Sequence, residues 1–187
     1  EAIRLRRFFI ETVPDGITMT SAPTGAFVNG WQSWSHSRFY PLGTRHAKPS
    51  LLDRWWRGPM VCNSETPWVQ HQDRFWSETC GALVSENEAL IGGIASTAEQ
   101  FGQMWMDLRS AHLQVLLQTQ MDDITLPVGE LRRSEWYYLE WVPLPNLDPF
   151  AQYAHAVARQ MAVTSDWRSL TGWNSWYMYG NQVTEAD

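Results

Sequence analysis

Short apolar segments separated by closely spaced turn signals constrain the fold of this chain more than any other feature. Turns are predicted at Pro14-Asp15-Gly16, Pro23-Thr24-Gly25, Gly92-Gly93 and Pro127-Val128-Gly129, because proline and glycine adopt turn conformations at little cost. Strands are predicted from the alternation near residues 3–6 and at 79–84, 89–95, 103–107, 112–118 and 135–142. Many short strands without a long amphipathic helix predict antiparallel sheets packed as a β-sandwich over residues 3–142.

One amphipathic helix is predicted after this region, over residues 149–163. Its apolar residues recur at intervals of three and four: Phe150, Tyr153, Ala154, Val157 and Met161. Asp148 is placed to cap the helix, and Pro149 is suited to its first position because proline lacks an N–H that would go unbonded there. We expect this helix to lie on the sandwich.

Residues 37–72 show neither the alternation of a strand nor the three- and four-residue spacing of a helix. They contain four prolines and three tryptophans, which predicts long ordered loops. Within them, Trp55, Trp56 and Arg57 are candidates for a subunit contact, because tryptophan and arginine favour the centres of interfaces. Internal cation–π stacking of the same side chains is the alternative. The sequence leaves both interpretations open.

Charge and composition exclude several classes of partner. The chain has 14 Lys and Arg against 20 Asp and Glu, a net charge of −6, which disfavours nucleic acid. No segment approaches the roughly 20 apolar residues of a membrane span, and the first residues lack the pattern of a signal peptide. A cytoplasmic location is expected, with Cys62 and Cys80 as reduced thiols.

No metal or other cofactor is predicted. His71 and Asp73 offer two ligands, but no further Cys or His follows at the spacing of a zinc site. Asp122 and Asp123 are adjacent, and adjacent side chains seldom converge on one substrate, so a solvated turn is expected there.

Two tryptophan motifs share one arrangement: Asn29-Gly30-Trp31-Gln32-Ser33-Trp34-Ser35 and Gly172-Trp173-Asn174-Ser175-Trp176-Tyr177. In an extended backbone Trp31 and Trp34 face opposite sides, so one can enter the core while the other is presented outward. An indole face suits the C–H face of a pyranose, and neighbouring amides can bind its hydroxyls. Packing alone is the competing explanation for each tryptophan.

Together the two motifs resemble the paired signature of family 36 (melibiase-type) α-galactosidases, in which the second motif is followed by a helix start like Val183-Thr184-Glu185-Ala186-Asp187. The resemblance implies a supersandwich-like N-terminal β-sandwich at 1–145, a linker helix at 146–170, and the first strand of a (β/α)8 barrel at 171–187. Asn174 stands where the family often has cysteine, which leaves the subfamily open.

The resemblance also assigns roles. Trp34 matches a sandwich tryptophan that reaches over the sugar pocket, and Trp176 and Tyr177 match aromatic residues at the end of the first barrel strand. Trp31 and Trp173 are then the packing members. The family's two catalytic aspartates lie on later barrel strands, so no residue of this chain is assigned a catalytic role.

The implied activity is retaining hydrolysis of terminal α-galactosides of the raffinose and melibiose type, by a protein that forms homo-oligomers. Galactosyl transfer to sucrose-type acceptors and hydrolysis of N-acetylgalactosaminides remain open within the family. A free-standing, non-catalytic carbohydrate-binding module is the alternative from a different class.

Overall fold

The computed structural model describes residues 2–13, 16–30, 37–44, 73–109, 113–164 and 184. Within these residues the chain forms nine β-strands and one α-helix. The strands are β1 (Ile3–Glu11), β2 (Pro23–Val28), β3 (Arg38–Pro41), β4 (Arg74–Glu78), β5 (Cys80–Ser85), β6 (Glu88–Ile94), β7 (Gly102–Asp107), β8 (Gln114–Leu126) and β9 (Tyr137–Pro143), and the helix is α1 (Ala151–Gln160).

The strands form two sheets. Sheet A has the order β1-β8-β7-β4, and sheet B has the order β3-β2-β5-β6-β9. Every pair among these strands is antiparallel. The predicted mostly β, antiparallel character is therefore confirmed.

One apolar core lies between the sheets and explains why they pack face to face. Along β7, Met104 and Met106 are fully buried in this core, whereas Gln103 and Trp105 point to the other side of sheet A. Sheet B contributes Leu83 and other apolar residues to the same cluster. Alternation thus places one face of each sheet in the core, as in a β-sandwich.

The chain passes from sheet A to sheet B through a single residue, Thr79, between β4 and β5. Thr79 has a φ of 58°, in the left-handed region that a β-branched residue seldom adopts. Its backbone is bonded on both sides, since its N–H donates to Gly102 and its carbonyl accepts from Ile94. We call this residue the Thr79 corner.

Helix α1 packs on the outer face of sheet B. Phe150 lies 5.2 Å from Phe27, centroid to centroid, and the Tyr153 hydroxyl donates to the carbonyl of Ile94 at 2.8 Å. The predicted helix on the sandwich is thus present, although shorter than 149–163.

The start of α1 differs from the prediction. Phe150 is the N-cap, no side chain caps the helix, and the carbonyl of Asp148 accepts the N–H of Ala151. The predicted cap is absent because the helix begins later than expected: Asp148 precedes the N-cap by two residues, and its N–H donates to the side chain of Asn146 in a turn before the helix. Ala156, which the apolar stripe omitted, is the buried helical residue, while Ala154 is exposed.

Two predicted turns lie in strands. Pro23-Thr24-Gly25 begins β2, where proline at the first position loses no essential ladder bond. Gly92 and Gly93 lie inside β6, where close packing requires them: a Cβ on Gly93 would come within 2.6 Å of the Tyr153 ring. The segment predicted as loops also contains a strand, β3.

Asp122 and Asp123 lie within β8 rather than in a turn between strands. Both have left-handed φ values, 50° and 56°, and both are exposed. The register to β1 shifts at this point, between Leu5 and Arg7, so the two aspartates form a bulge.

Candidate functional site: the motif end of sheet B

All five strands of sheet B begin or end at one end of the sheet, which we call the motif end. There β2 and β6 end and β3, β5 and β9 begin, as the register shows: Val28 pairs with Arg38 and Gly81, Cys80 with Gly93, and Ile94 with Tyr137. The first tryptophan motif begins at this end, directly after β2.

Asn29, the first residue of that motif, ties the loop to the fold. Its side-chain N–H₂ donates to the carbonyl of Glu78 at 2.9 Å and to the hydroxyl of Thr79 at 3.2 Å. Its side-chain oxygen accepts the Ser37 hydroxyl at 3.0 Å, and the same Ser37 oxygen accepts the N–H of Gly30 at 2.9 Å. One amide therefore joins both ends of the segment between Gly30 and Ser37, which we call the motif loop, to the Thr79 corner.

The chain reverses its direction between β2 and β3, because Val28 and Arg38 are antiparallel partners. Trp31 and Trp34 themselves lie outside the described residues, so their placement stays a prediction.

The last turn of α1 reaches the same end of sheet B. The sulfur of Met161 accepts the N–H of Thr97 at 3.5 Å, and Thr97 follows shortly after the end of β6. Tyr153, about two helical turns earlier, packs against Gly93 and Cys80. The end of α1, which precedes the second motif in the chain, therefore lies at the motif end, on the β6 side of sheet B.

Trp136 is an exposed aromatic residue at the motif end that the sequence analysis did not single out. It directly precedes β9, and 63% of its surface is exposed. Its N–H donates to the Ser96 hydroxyl at 3.0 Å, and its carbonyl accepts from Ala95 at 2.6 Å. The one sequence signal was a tryptophan directly after two polar residues, in Ser134-Glu135-Trp136.

Glu135 fixes the loop beside Trp136 through hydrogen bonds. Its buried carboxylate accepts hydrogen bonds from the Ser96 hydroxyl and from the backbone N–H groups of Glu99, at 2.8 Å, and Gln100, at 3.0 Å. Burial acts to raise the pKa of Glu135, but these hydrogen bonds outweigh it and hold the pKa below its ordinary value. The carboxylate thus orders the loop that borders Trp136.

The outer face of sheet A carries a second group of polar and aromatic side chains. Gln103 accepts from Gln118 at 3.0 Å, and Gln118 accepts from Arg7 at 3.0 Å, so these polar residues form a row across three strands. Trp76 and Trp105 are direct cross-strand partners beside this row. Within the described part of the chain the buried indole N–H of Trp76 has no acceptor.

Asp107 closes that face at one side. It is bonded to Arg74 at 2.9 Å and to Arg109 at 2.7 Å, and Arg74 lies over the Trp105 ring. Burial acts to raise the pKa of Asp107, but the two guanidinium groups outweigh it and lower the pKa to about 2.

The six side chains predicted to serve the sugar pocket or a subunit contact lie outside the described residues: Trp34, Trp176, Tyr177, Trp55, Trp56 and Arg57. The structure does describe the base of the long segment that holds the last three. There the Asp73 carboxylate accepts the N–H of Gly43 at 2.6 Å. Because β3 separates Ser37 from Gly43, this segment and the motif loop leave β3 at opposite ends.

Other predicted features give no site of their own. No cluster of ligands in the described part of the chain could hold a metal. The carboxylate of Asp73 instead accepts the N–H of Gly43. Cys80 has a free thiol whose pKa is raised by burial, while Cys62 lies outside the described residues. No helix in the described part of the chain is long and apolar enough to span a bilayer.

Comparison with known proteins gives structural likeness only. No protein-family model and no curated protein matches the chain. Among solved structures, the chain is similar to TtGalA, an alpha-galactosidase from Thermus thermophilus, in complex with p-nitrophenyl alpha-D-galactopyranoside, with a TM-score of 0.45 and 17% identity over 99% of this chain and 31% of that one. The same enzyme in complex with stachyose gives 0.45 and 18%, over 99% and 33%. This chain spans about a third of the length of these structures.

Proposed function

We propose that this chain is the N-terminal part of a retaining α-galactosidase that hydrolyses terminal α-galactosides of the raffinose and melibiose type in the cytoplasm. In this proposal residues 1–145 are the sandwich domain, 146–170 the linker helix, and 171–187 the start of the catalytic barrel. The observation that carries it concerns the described residues next to the two tryptophan motifs. Asn29, which begins the first motif, is fixed at the motif end of sheet B, and Met161, which precedes the second motif, contacts Thr97 at the same end.

In this proposal the two motifs meet at one pocket, and each has a role there. Trp34 contributes an indole platform, and Trp176 and Tyr177 contribute further aromatic surface to the same pocket. Aromatic rings stack on the C–H face of galactose while neighbouring amides bind its hydroxyls. Asn29 holds the first motif in place, and such fixed supports are what binding sites on loops need.

The chemistry itself requires a second part of the protein. Retaining glycosidases use one carboxylate as nucleophile and another as acid and base, about 5 Å apart. The resemblance places both on later barrel strands. The chain described here therefore contributes to binding and positioning of the sugar and supplies no catalytic carboxylate.

The first experiment compares the intact protein with residues 1–187. The intact protein should release p-nitrophenol from p-nitrophenyl α-galactoside, and the fragment should not, at any concentration. Parallel assays with the N-acetylgalactosaminide and with a sucrose-type acceptor separate the other activities of the family. Absence of turnover by the intact protein on all three, or turnover by the fragment, contradicts the proposal.

Alanine substitutions test which tryptophan serves the pocket. Trp34→Ala in the intact enzyme should leave the melting temperature nearly unchanged and reduce kcat/KM, because it removes stacking area without opening a cavity. Trp31→Ala should instead cost about 3 to 5 kcal/mol of stability, as truncation of buried aromatic residues does. Normal kinetics in both variants contradict a sugar-binding role for this motif.

Trp55, Trp56 and Arg57 are proposed to lie at a subunit contact of a homo-oligomer. Aromatic and arginine side chains at the centre of such a contact contribute most of its affinity. The double variant Trp55→Ala, Trp56→Ala should therefore elute from size-exclusion chromatography at a smaller mass than the wild type. An unchanged mass with a lowered melting temperature supports internal stacking instead.

A second candidate function, a non-catalytic carbohydrate-binding module, is favoured by the outer face of sheet A. Trp76 and Trp105 are adjacent cross-strand partners there, and both are partly exposed, so their rings could stack on a sugar. Calorimetric titration of residues 1–187 with galactosides tests this candidate. Binding that Trp105→Ala abolishes, together with an intact protein that lacks hydrolase activity, would favour the module over the enzyme.

A further inference from the structure

Trp136 combines high exposure with a fixed backbone. More than half of its surface is exposed, yet both its N–H and its carbonyl are bonded, to Ser96 and Ala95. Ser96 is held in turn by the buried carboxylate of Glu135. An exposed indole on a fixed base binds a ligand at a smaller entropic cost than one on a loose loop.

The setting of Trp136 is polar. Thr97, Ala98 and Glu99 form the exposed side of the loop that Glu135 orders, and Glu99 is paired with Arg132 at 2.9 Å. Hydroxyl, carboxylate and guanidinium groups thus lie in the segments that flank an exposed aromatic face. This combination of one apolar face and several hydrogen-bonding groups is what a pyranose ring requires.

Trp136 lies across sheet B from the motif loop. The loop begins at the end of β2 and Trp136 precedes β9, with β5 and β6 between them at the same end of the sheet. Three strand spacings amount to about 14 Å. That separation exceeds the width of one pyranose ring, so the two places could contact different sugar units of one oligosaccharide.

We propose that Trp136 is a stacking platform for a sugar unit beyond the terminal galactose of an α-galactosyl oligosaccharide. The inference rests on the proposed function, because it takes the terminal galactose to lie at the two motifs. Trp136 touches neither the reacting bond nor the terminal ring. It therefore selects longer substrates and leaves the chemical step unchanged.

The test compares two substrates in the intact enzyme carrying Trp136→Ala. The kcat/KM for stachyose should fall about three- to tenfold, the range expected for loss of one aromatic stacking contact. The kcat/KM for p-nitrophenyl α-galactoside should stay within experimental error, because that substrate does not reach Trp136. Trp136→Phe should recover part of the stachyose activity, since phenylalanine keeps an aromatic face.

Trp141→Ala is the matched control. Trp141 lies near the opposite end of β9 and is also exposed, at 44%. The variant should therefore keep the wild-type kcat/KM for both substrates. Thermal unfolding of each variant monitors the fold.

Three results overturn the platform: unchanged stachyose kinetics in Trp136→Ala, equal loss on both substrates, or the same selective loss in Trp141→Ala. If the wild type cleaves neither substrate, the proposed function itself has failed and the platform fails with it. If the wild type cleaves both and Trp136→Ala behaves as wild type, only the platform is wrong.

Discussion

Asn29 shows how one side chain can hold a functional loop. Its amide bonds to Glu78, Thr79 and Ser37, and these hydrogen bonds are lost in Asn29→Ala. We expect the variant to lose about 1 to 3 kcal/mol of stability, because several hydrogen bonds of partly buried groups disappear together. Thermal unfolding measures the effect.

Asn87→Ala is the matched control for Asn29. Asn87 is exposed in the turn between β5 and β6, and its backbone carbonyl accepts the N–H of Leu144, a hydrogen bond that alanine keeps. Equal melting temperatures for the two variants would show that Asn29 does not hold the loop.

Asp107 predicts a loss of stability in acid. Its folded pKa of about 2 lies below the ordinary value of 3.8, so the charged carboxylate stabilises the fold fully above that ordinary value. As the pH falls from 3.8 to 2, the unfolded chain binds a proton that the folded chain does not, and about 2 kcal/mol is lost.

Asp107→Asn should therefore lower stability at pH 7 and flatten the stability curve between pH 4 and pH 2. Urea unfolding at several pH values measures both effects. Because Arg74 and Arg109 are partly exposed, added salt should weaken the difference between variant and wild type. A variant curve parallel to the wild type across this range would contradict the assignment.

At the scale of elements, Gly93 decides how closely α1 approaches sheet B. A Cβ at this position would lie 2.6 Å from the Tyr153 ring and 2.9 Å from the Cys80 Cβ. Gly93→Ala should therefore displace the helix and cost about 1 to 3 kcal/mol, as overpacking of a filled core does. Thermal unfolding and the exchange rates of the helix amides measure the change.

The neighbouring glycine provides the control. A Cβ on Gly92 points to the opposite face of β6 and first meets the flexible end of Met104, at 3.0 Å. Gly92→Ala should cost less than Gly93→Ala and leave the exchange of the α1 amides unchanged. Faster helix exchange in Gly92→Ala alone would show that the contact at Gly93 does not position the helix.

At the scale of the whole molecule, one core joins the two sheets into a single cooperative unit. Leu83 of sheet B and Met104 of sheet A are both fully buried in the same cluster. Leu83→Ala should cost about 2 to 5 kcal/mol and should increase hydrogen exchange at Val115 and Leu117, across the core in sheet A. Exchange that rises only in sheet B would show that the sheets unfold separately.

Local physics made part of the molecule predictable from the sequence alone. The alternation along residues 103–107 and 112–118 places side chains on two faces, and the period of Tyr153 and Val157 places them on one face of a helix, because both patterns arise from backbone geometry within a few residues. The resemblance carried by the two tryptophan motifs also needs no tertiary contact. Strand content, the helix and the candidate pocket residues therefore followed from the sequence.

Contacts between distant residues decided the rest. Arg7 reaches Gln118, 111 positions away, and Gly93 is part of a strand rather than a turn, paired with Cys80 and Tyr138 and covered by Tyr153. The anchoring of Asn29 and the fixed backbone of Trp136 depend on Asn29 meeting Thr79 and on Ser96 meeting Glu135. No local period encodes such pairings, because they form only when packing of the whole core brings those residues together.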